Sequence, residues 1–270
     1  LKNLFQNNKF NALFHFAGFT KVEESVHFPE KYFTNNTKNS SILFDACIEF
    51  DLNNIIFSST AAVYGNPKKN IIDENADLSP LNPYGESKVQ TENLLLKLHK
   101  EKKIQYVILR YFNVAGADPK LRSGLISSSP THLIKIASEA SVGKREKVTI
   151  YGNDYNTHDG TAVRDYIHVS DLADIHVKSL EYLMKKNESL IMNCGYGKGY
   201  SVKEILNKIN VMYKDQIKID YGKRRPGDAE SLVSNVKKLI ETINWKPKYN
   251  NLECIIQTAI QWEEKLLNEK

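Results

Sequence analysis

Short apolar runs alternate with longer stretches of helical spacing along the first two thirds of the chain. "NALFHFAG" (11–18) reads as a buried strand ending at Gly18, and "SSILFDACIEF" (40–50) has the period of a helix. "NNIIFSST" (53–60) is a strand that closes on hydroxyl residues, residues 84–100 are helical, and "IQYVILRYFNV" (104–114) is again a strand. Strand, helix, strand, helix, strand in this order implies right-handed crossovers and a parallel sheet, hence an α/β fold. In such sheets ligands sit beyond the carboxyl ends of the strands. Three places therefore draw attention: Ala17–Gly18, Ser58–Thr60 and Tyr111–Asn113.

After Asn113 the pattern loosens. Residues 115–132 are rich in Gly, Pro and Ser and read as a long loop, and long loops in compact chains are usually functional or mobile. Residues 146–160 hold a short strand and a turn-rich loop. Residues 163–183 read as a strand and then a helix capped near Ser170 or Asp171. "SLIMNCG" (189–195) is a strand, and Ser201 with Glu204 forms a capping box that opens a helix over 202–213. A strand at 216–222 leads to "KRRPGD", and two short helices flank "NWKP" in the tail.

Composition narrows the class without deciding it. The 270 residues suffice for one large domain or two lobes, and 41% apolar with 26% charged residues is ordinary for a globular chain. The net charge of +5 is spread without a single-sign block, so neither nucleic acid nor a membrane is suggested as a partner. Cys47, Cys194 and Cys254 form no CxxC pair and no metal spacing, and the expected setting is the reducing cytoplasm.

A parallel sheet of this kind invites a search for GxGxxG after a strand. "CGYGKGYS" is the nearest candidate, but Tyr200 stands where the third glycine belongs and Gly199 is one position early. The better reading is a glycine-rich turn shaped for a helix start. The later strands are thus present without a fingerprint strand, and the chain opens on leucine. The expectation is an N-terminally truncated, doubly wound sheet whose first βαβ unit lies upstream.

"NPYGESK" (82–88) supplies the chemistry. Pro83 suits a helix N-terminus, where its missing N–H costs nothing. Tyr84 and Lys88, four apart, then share one helix face. An ammonium beside a phenol lowers the phenol's pKa from about 10, which predicts a phenol able to act as a base near neutral pH. Thr60 ends the preceding strand, so its hydroxyl points to the same crevice.

These residues resemble the UDP-glucose 4-epimerase family, a branch of the extended short-chain dehydrogenase/reductases. "FHFAG", "FSSTAAVYG", "NPYGESK", "LRYFNVAGAD" (109–118), "GTAVRDYIHVSDLADIH" (160–176) and "RRPGD" all match its segments, from about residue 11 to the end. The family's N-terminal glycine motif and early ribose-binding acid are lacking. The resemblance implies a Rossmann-like NAD-binding lobe over 1–113 and about 163–195, with a smaller UDP-sugar lobe over 114–162 and 196–270. It implies that Tyr84 is the base, Lys88 its partner and a cofactor ligand, and Thr60 the catalytic hydroxyl. Phe16, Ala17, Gly18, Asn35, Ser58 and Phe112 would join Tyr84 and Lys88 around NAD. Asn113, His132, Thr149, Tyr151, Arg164, Arg225 and Asp228 would surround UDP-glucose or UDP-galactose. The implied reaction is a redox detour through a 4-keto sugar in a homodimer. Thr20 departs from a lysine found in some members. Leu232 stands where some have a bulkier residue, and a roomier pocket would admit N-acetylated sugars.

Other readings stay beside this one. Arg164 could simply pair with Asp165 or Asp171, and His15, His168, Tyr111 and Cys194 fit structural roles. A related dehydratase usually carries an acidic pair after the hydroxyl residue, whereas Ala61 and Ala62 follow Thr60. A nucleotide-sugar-binding remnant without activity is the third possibility.

Overall fold

A computed structural model describes residues 1–69, 71–213 and 217–269. Four parallel strands make the first sheet: β1 (Leu13–His15), β2 (Asn54–Thr60), β3 (Gln105–Tyr111) and, far along the chain, β7 (Leu190–Cys194), in the order β1-β2-β3-β7. Both faces are covered, and the side chains alternate accordingly. Ile55 and Phe57 of β2, with Tyr106 and Ile108 of β3, pack on Phe44 of helix α4 (Asn39–Glu49) and Leu95 of helix α5 (Pro83–Lys100). Ile56, Val107 and Leu109 face the other way, toward Leu172 and Ile175 of helix α7 (Val169–Lys186) and Leu239 of helix α9 (Lys237–Ile243). This is a doubly wound, Rossmann-like arrangement.

The strand expected over 104–114 is broken at Phe112. The Phe112 N–H still bonds the Cys194 carbonyl at 3.0 Å, while its ring is buried beside Val63, Ile72 and Leu232. The chain then passes to a second sheet as β4 (Asn113–Ala115), which pairs with β6 (Val163–His168). β6 also pairs with β10 (Ser231–Leu232) in parallel and with β8 (Gly199–Ser201) antiparallel. So β6, grouped with the first lobe in the sequence reading, bonds to strands outside that lobe's four-stranded sheet. A third, two-stranded sheet joins β5 (Lys147–Tyr151) to β9 (Lys218–Gly222) in parallel; Gln216 of the expected strand lies outside the described residues. Helices α6 (Leu133–Ser141), α8 (Val202–Tyr213) and α10 (Leu252–Asn268) close a separate apolar core over β5, with Ile150, Ile205 and Ile256 fully buried.

The caps show where local sequence signals hold. Ser201 and Glu204 form the expected box, with Ser201 N–H to Glu204 Oε2 at 2.7 Å and Glu204 N–H to Ser201 Oγ at 3.0 Å. Helix α7, by contrast, is capped by His168, whose Nδ1 accepts the Ser170 N–H at 3.1 Å, not by Ser170 or Asp171. Histidine is outside the usual capping set, which is why the pattern misplaced the start. Asp171 instead receives the Lys248 and Tyr249 amides and the Tyr196 hydroxyl. α10 runs for 17 residues, longer than the short tail helix expected. The turn at 195–199 wraps the buried Asp165 carboxylate, which takes the Tyr196 and Gly197 amides at 2.9 Å each. That turn feeds β8 and α8, as the preference against a dinucleotide loop requires. Among the described residues no helix is long and apolar enough to cross a membrane.

Candidate active site

Where the chain leaves the first sheet for the second, the ends of β2 and β3 and the start of α5 bound a cleft of about 430 Å³. This is the position that open α/β sheets offer to ligands. Helix α5 starts on Asn82, whose Oδ1 accepts the Gly85 N–H at 2.9 Å, with Pro83 at the first helical position. The other half of the Asn82 amide donates to the Gly227 carbonyl at 3.1 Å, fastening the loop of Arg225 and Asp228 to the helix that presents Tyr84.

Tyr84, Lys88, Ser58 and Thr60 all line this cleft. The Lys88 Nζ donates to the Ser58 carbonyl at 2.8 Å and lies 4.8 Å from the centre of the Phe57 ring. Burial brings the Lys88 ammonium down to about 8, against the opposing charge of Glu92. Burial likewise raises the Tyr84 phenol above its ordinary value, and a hydrogen bond with the Thr60 hydroxyl pulls the other way. In the protein alone the expected acidification of the phenol by its lysine is therefore not seen: Lys88 donates to a backbone carbonyl, and desolvation dominates at Tyr84. Thr60 Oγ1 also receives the Ala62 N–H at 3.2 Å, which fixes the hydroxyl's position.

Of the residues expected around a cofactor, Phe16 and Phe112 also line the cleft, Phe16 with 58% of its surface exposed. Gly18 lies behind Lys88: a Cβ there would sit 3.3 Å from the Lys88 Nζ and from Asn36 Oδ1. Ala17, Gly18 and Asn35 fall outside the cleft wall. Asn35 donates to Asn36 Oδ1 at 3.0 Å, and Asn36, buried, bonds the Ser87 hydroxyl and the Phe19 backbone.

At the far end, Asn113, His132, Arg164, Arg225 and Asp228 line the wall, while Thr149 and Tyr151 do not. Tyr151 reaches the site indirectly, under the Arg225 guanidinium at 4.5 Å. Arg164 pairs with Asp228 at 2.9 Å and donates to the carbonyls of Val163, Ala229 and Glu230. Neither Asp165 nor Asp171 is its partner. Arg225 is freer: its Nε is buried without a hydrogen-bond partner among the described residues, and its contact with Asp228 is 3.8 Å. A half-buried guanidinium with an unpartnered Nε is suited to an anion that brings its own acceptors. His132 keeps an exposed surface at the rim, and partial desolvation holds its pKa below the ordinary histidine value.

Some readings of a structural role stand and one shifts. His15 is buried and donates from Nε2 to Ser40 Oγ at 2.7 Å, since the Ser40 hydroxyl is itself spent on the Asn36 carbonyl. Burial holds it down to about 4, and Cys194 is fully buried in the core. His168 donates to Thr258 and stacks on Tyr249 at 4.6 Å. Tyr111, however, lines the cleft, with its hydroxyl on His176 Nε2, whose Nδ1 is committed to the Leu172 carbonyl. Only its place at a strand end could have marked it.

A family model described as GDP-mannose 4,6 dehydratase matches residues 1–258. The UDP-glucose 4-epimerase of Azospirillum brasilense is 45% identical over 266 residues, covering 98% of this chain and 76% of that protein. This chain belongs to the UDP-glucose 4-epimerase family. Solved structures agree. The UDP-Glc/GlcNAc 4-epimerase of Campylobacter jejuni is 42% identical over 98% of this chain and 80% of its own, with a TM-score of 0.81. The UDP-glucose 4-epimerase of Stenotrophomonas maltophila, solved with NAD and formylated UDP-arabinopyranose, matches with a TM-score of 0.94 at 31% identity, over 100% of this chain and 80% of that one.

Proposed function

We propose that the chain interconverts UDP-glucose and UDP-galactose at C4, with NAD as its resident cofactor and a 4-keto sugar as intermediate. The observation that supports this best is that Tyr84, Thr60, Lys88 and Arg225 line one cleft. The residues fit a dinucleotide: the Lys88 ammonium donates one hydrogen bond to the Ser58 carbonyl, and Gly18 presents bare backbone against it. Phe16, Ala17, Gly18, Asn35, Ser58 and Phe112 are proposed to hold it with Tyr84 and Lys88. Bound NAD supplies the acceptor for the C4 hydride and a positive ring that favours the phenolate.

The chain's own groups do the rest. Tyr84 takes the proton from the sugar's 4-hydroxyl and later returns it, and Thr60 holds that oxygen on the side of the phenol. The Lys88 ammonium stays anchored on the Ser58 carbonyl, one helical turn from the phenol. Arg225 pairs with the diphosphate, while Arg164 fixes Asp228 and the adjoining backbone. Asn113, His132, Thr149 and Tyr151 complete the proposed UDP-sugar site. The same reading includes a cytosolic homodimer and the two-lobe division drawn from the sequence.

The direct test is incubation of the NAD-loaded protein with UDP-galactose, followed by sugar-nucleotide NMR. UDP-glucose should form until the two interconvert at equilibrium, and no conversion would overturn the proposal. Leu232 adds a second reading. It lines the cleft as an aliphatic residue, which leaves room for an N-acetylated sugar. In the same assay Leu232→Tyr should cut UDP-N-acetylgalactosamine turnover by about tenfold or more while UDP-galactose turnover changes little. An equal loss on both sugars would remove Leu232 from substrate selection.

A further inference from the structure

Tyr84, Lys88 and Glu92 stand at successive four-residue steps along one face of α5. The first two face the cleft, while Glu92 is 1% exposed and sits beneath them. Its Oε1 accepts the Ser59 hydroxyl at 2.5 Å and Arg110 Nε at 3.1 Å, and its Oε2 accepts Arg110 Nη2 at 2.7 Å. Arg110 is 3% exposed and completes its bonds with the Tyr64 hydroxyl and the Glu74 carbonyl. Ser59 and Arg110 are register partners across β2 and β3, so one carboxylate ties the helix to two neighbouring strands. Ser59 is also the residue between the two that the chemistry uses: Ser58, whose carbonyl holds Lys88, and Thr60, whose hydroxyl meets Tyr84.

We propose that Glu92 is a positioning residue for the epimerase reaction, its carboxylate setting the height of α5 against the end of β2. The proposal rests on the function argued above. The clamp acts through geometry, because sliding α5 along β2 would change the Lys88–Ser58 and Tyr84–Thr60 contacts together. It also acts through charge. Lys88 faces His15 from β1, the Ser58 carbonyl and Phe57 ring from β2, and Tyr84 and Glu92 of its own helix, with Arg110 of β3 behind Glu92. Among the charged groups of the described residues that face it, only Glu92 favours the ammonium.

Glu92→Gln keeps the shape, removes the charge and turns an amide N–H₂ toward one of the former donors. In the NAD-loaded protein kcat should fall by about tenfold or more. The alkaline limb of the kcat profile should move to lower pH, because Lys88 then loses its proton sooner. KM for UDP-galactose should stay close to wild type. Ser59→Ala, which keeps the Glu92–Arg110 pair, should lower kcat without moving that limb, and it carries the test if Glu92→Gln does not fold. A Glu92→Gln protein with a lower Tm but wild-type kcat and pH profile would overturn the proposal, as would wild-type kcat in Ser59→Ala. Wild-type turnover measured alongside separates the two claims: an inert wild type rejects the function, whereas an active one with unmoved variants rejects only the role of Glu92.

Discussion

Tyr84→Phe should lower kcat for UDP-galactose by about 10²–10⁴-fold, the range a single well-placed general acid–base group supplies. The ring stays, so the packing against Tyr32, whose ring centre lies 6.4 Å away, is kept, and UDP-sugar affinity should hold. Stopped assays read the first quantity and calorimetric titration with UDP the second. A variant that turns over normally rejects the role of Tyr84. One that loses UDP affinity and activity together points to damage of the cleft instead.

Arg110→Met should produce the largest loss of stability. It leaves the Glu92 carboxylate buried with the Ser59 hydroxyl as its remaining partner, and breaking a buried pair in this way costs about 3–5 kcal/mol. For a chain of this size that corresponds to a drop in Tm of roughly 6–20 °C. Glu92→Met combined with Arg110→Met should recover part of it, because the uncompensated charge is then gone. Differential scanning calorimetry of the three proteins decides the matter. An unchanged Tm in Arg110→Met would mean that the pair contributes nothing net to the fold.

The strands and helices of the first sheet were legible because their apolar period is clean and their ends carry hydroxyls or glycine. The meeting of the three proposed catalytic residues in one cleft was legible for the same reason: Pro83 starts α5, Tyr84 and Lys88 share a face, and Thr60 ends β2. What escaped depends on contacts distant in sequence. Glu92 reads as one more acid on an amphipathic helix until Arg110, on another strand, is seen beside it. For Arg164 the sequence offers a UDP-sugar contact or a pair with Asp165 or Asp171, but β6 carries it to Asp228, 64 positions on. The break at Phe112 looks like continuous strand, since nothing local says that the next residue pairs with a different sheet. The phenol is not acidified in the protein alone, because spacing places two side chains together without saying how dry the place is. Burial opposes the ionisation of Tyr84, and its lysine turns to Ser58.

That correction leaves one question on which the chemistry depends, namely whether the Tyr84 phenol ionises in the working protein. Ultraviolet difference titration of the NAD-loaded wild type against NAD-loaded Tyr84→Phe isolates this one ring. The account predicts one phenolate in the wild type, absent from the variant, that forms below the free-tyrosine value of about 10. If the two titrations coincide throughout that range, Tyr84 stays protonated and is not the base.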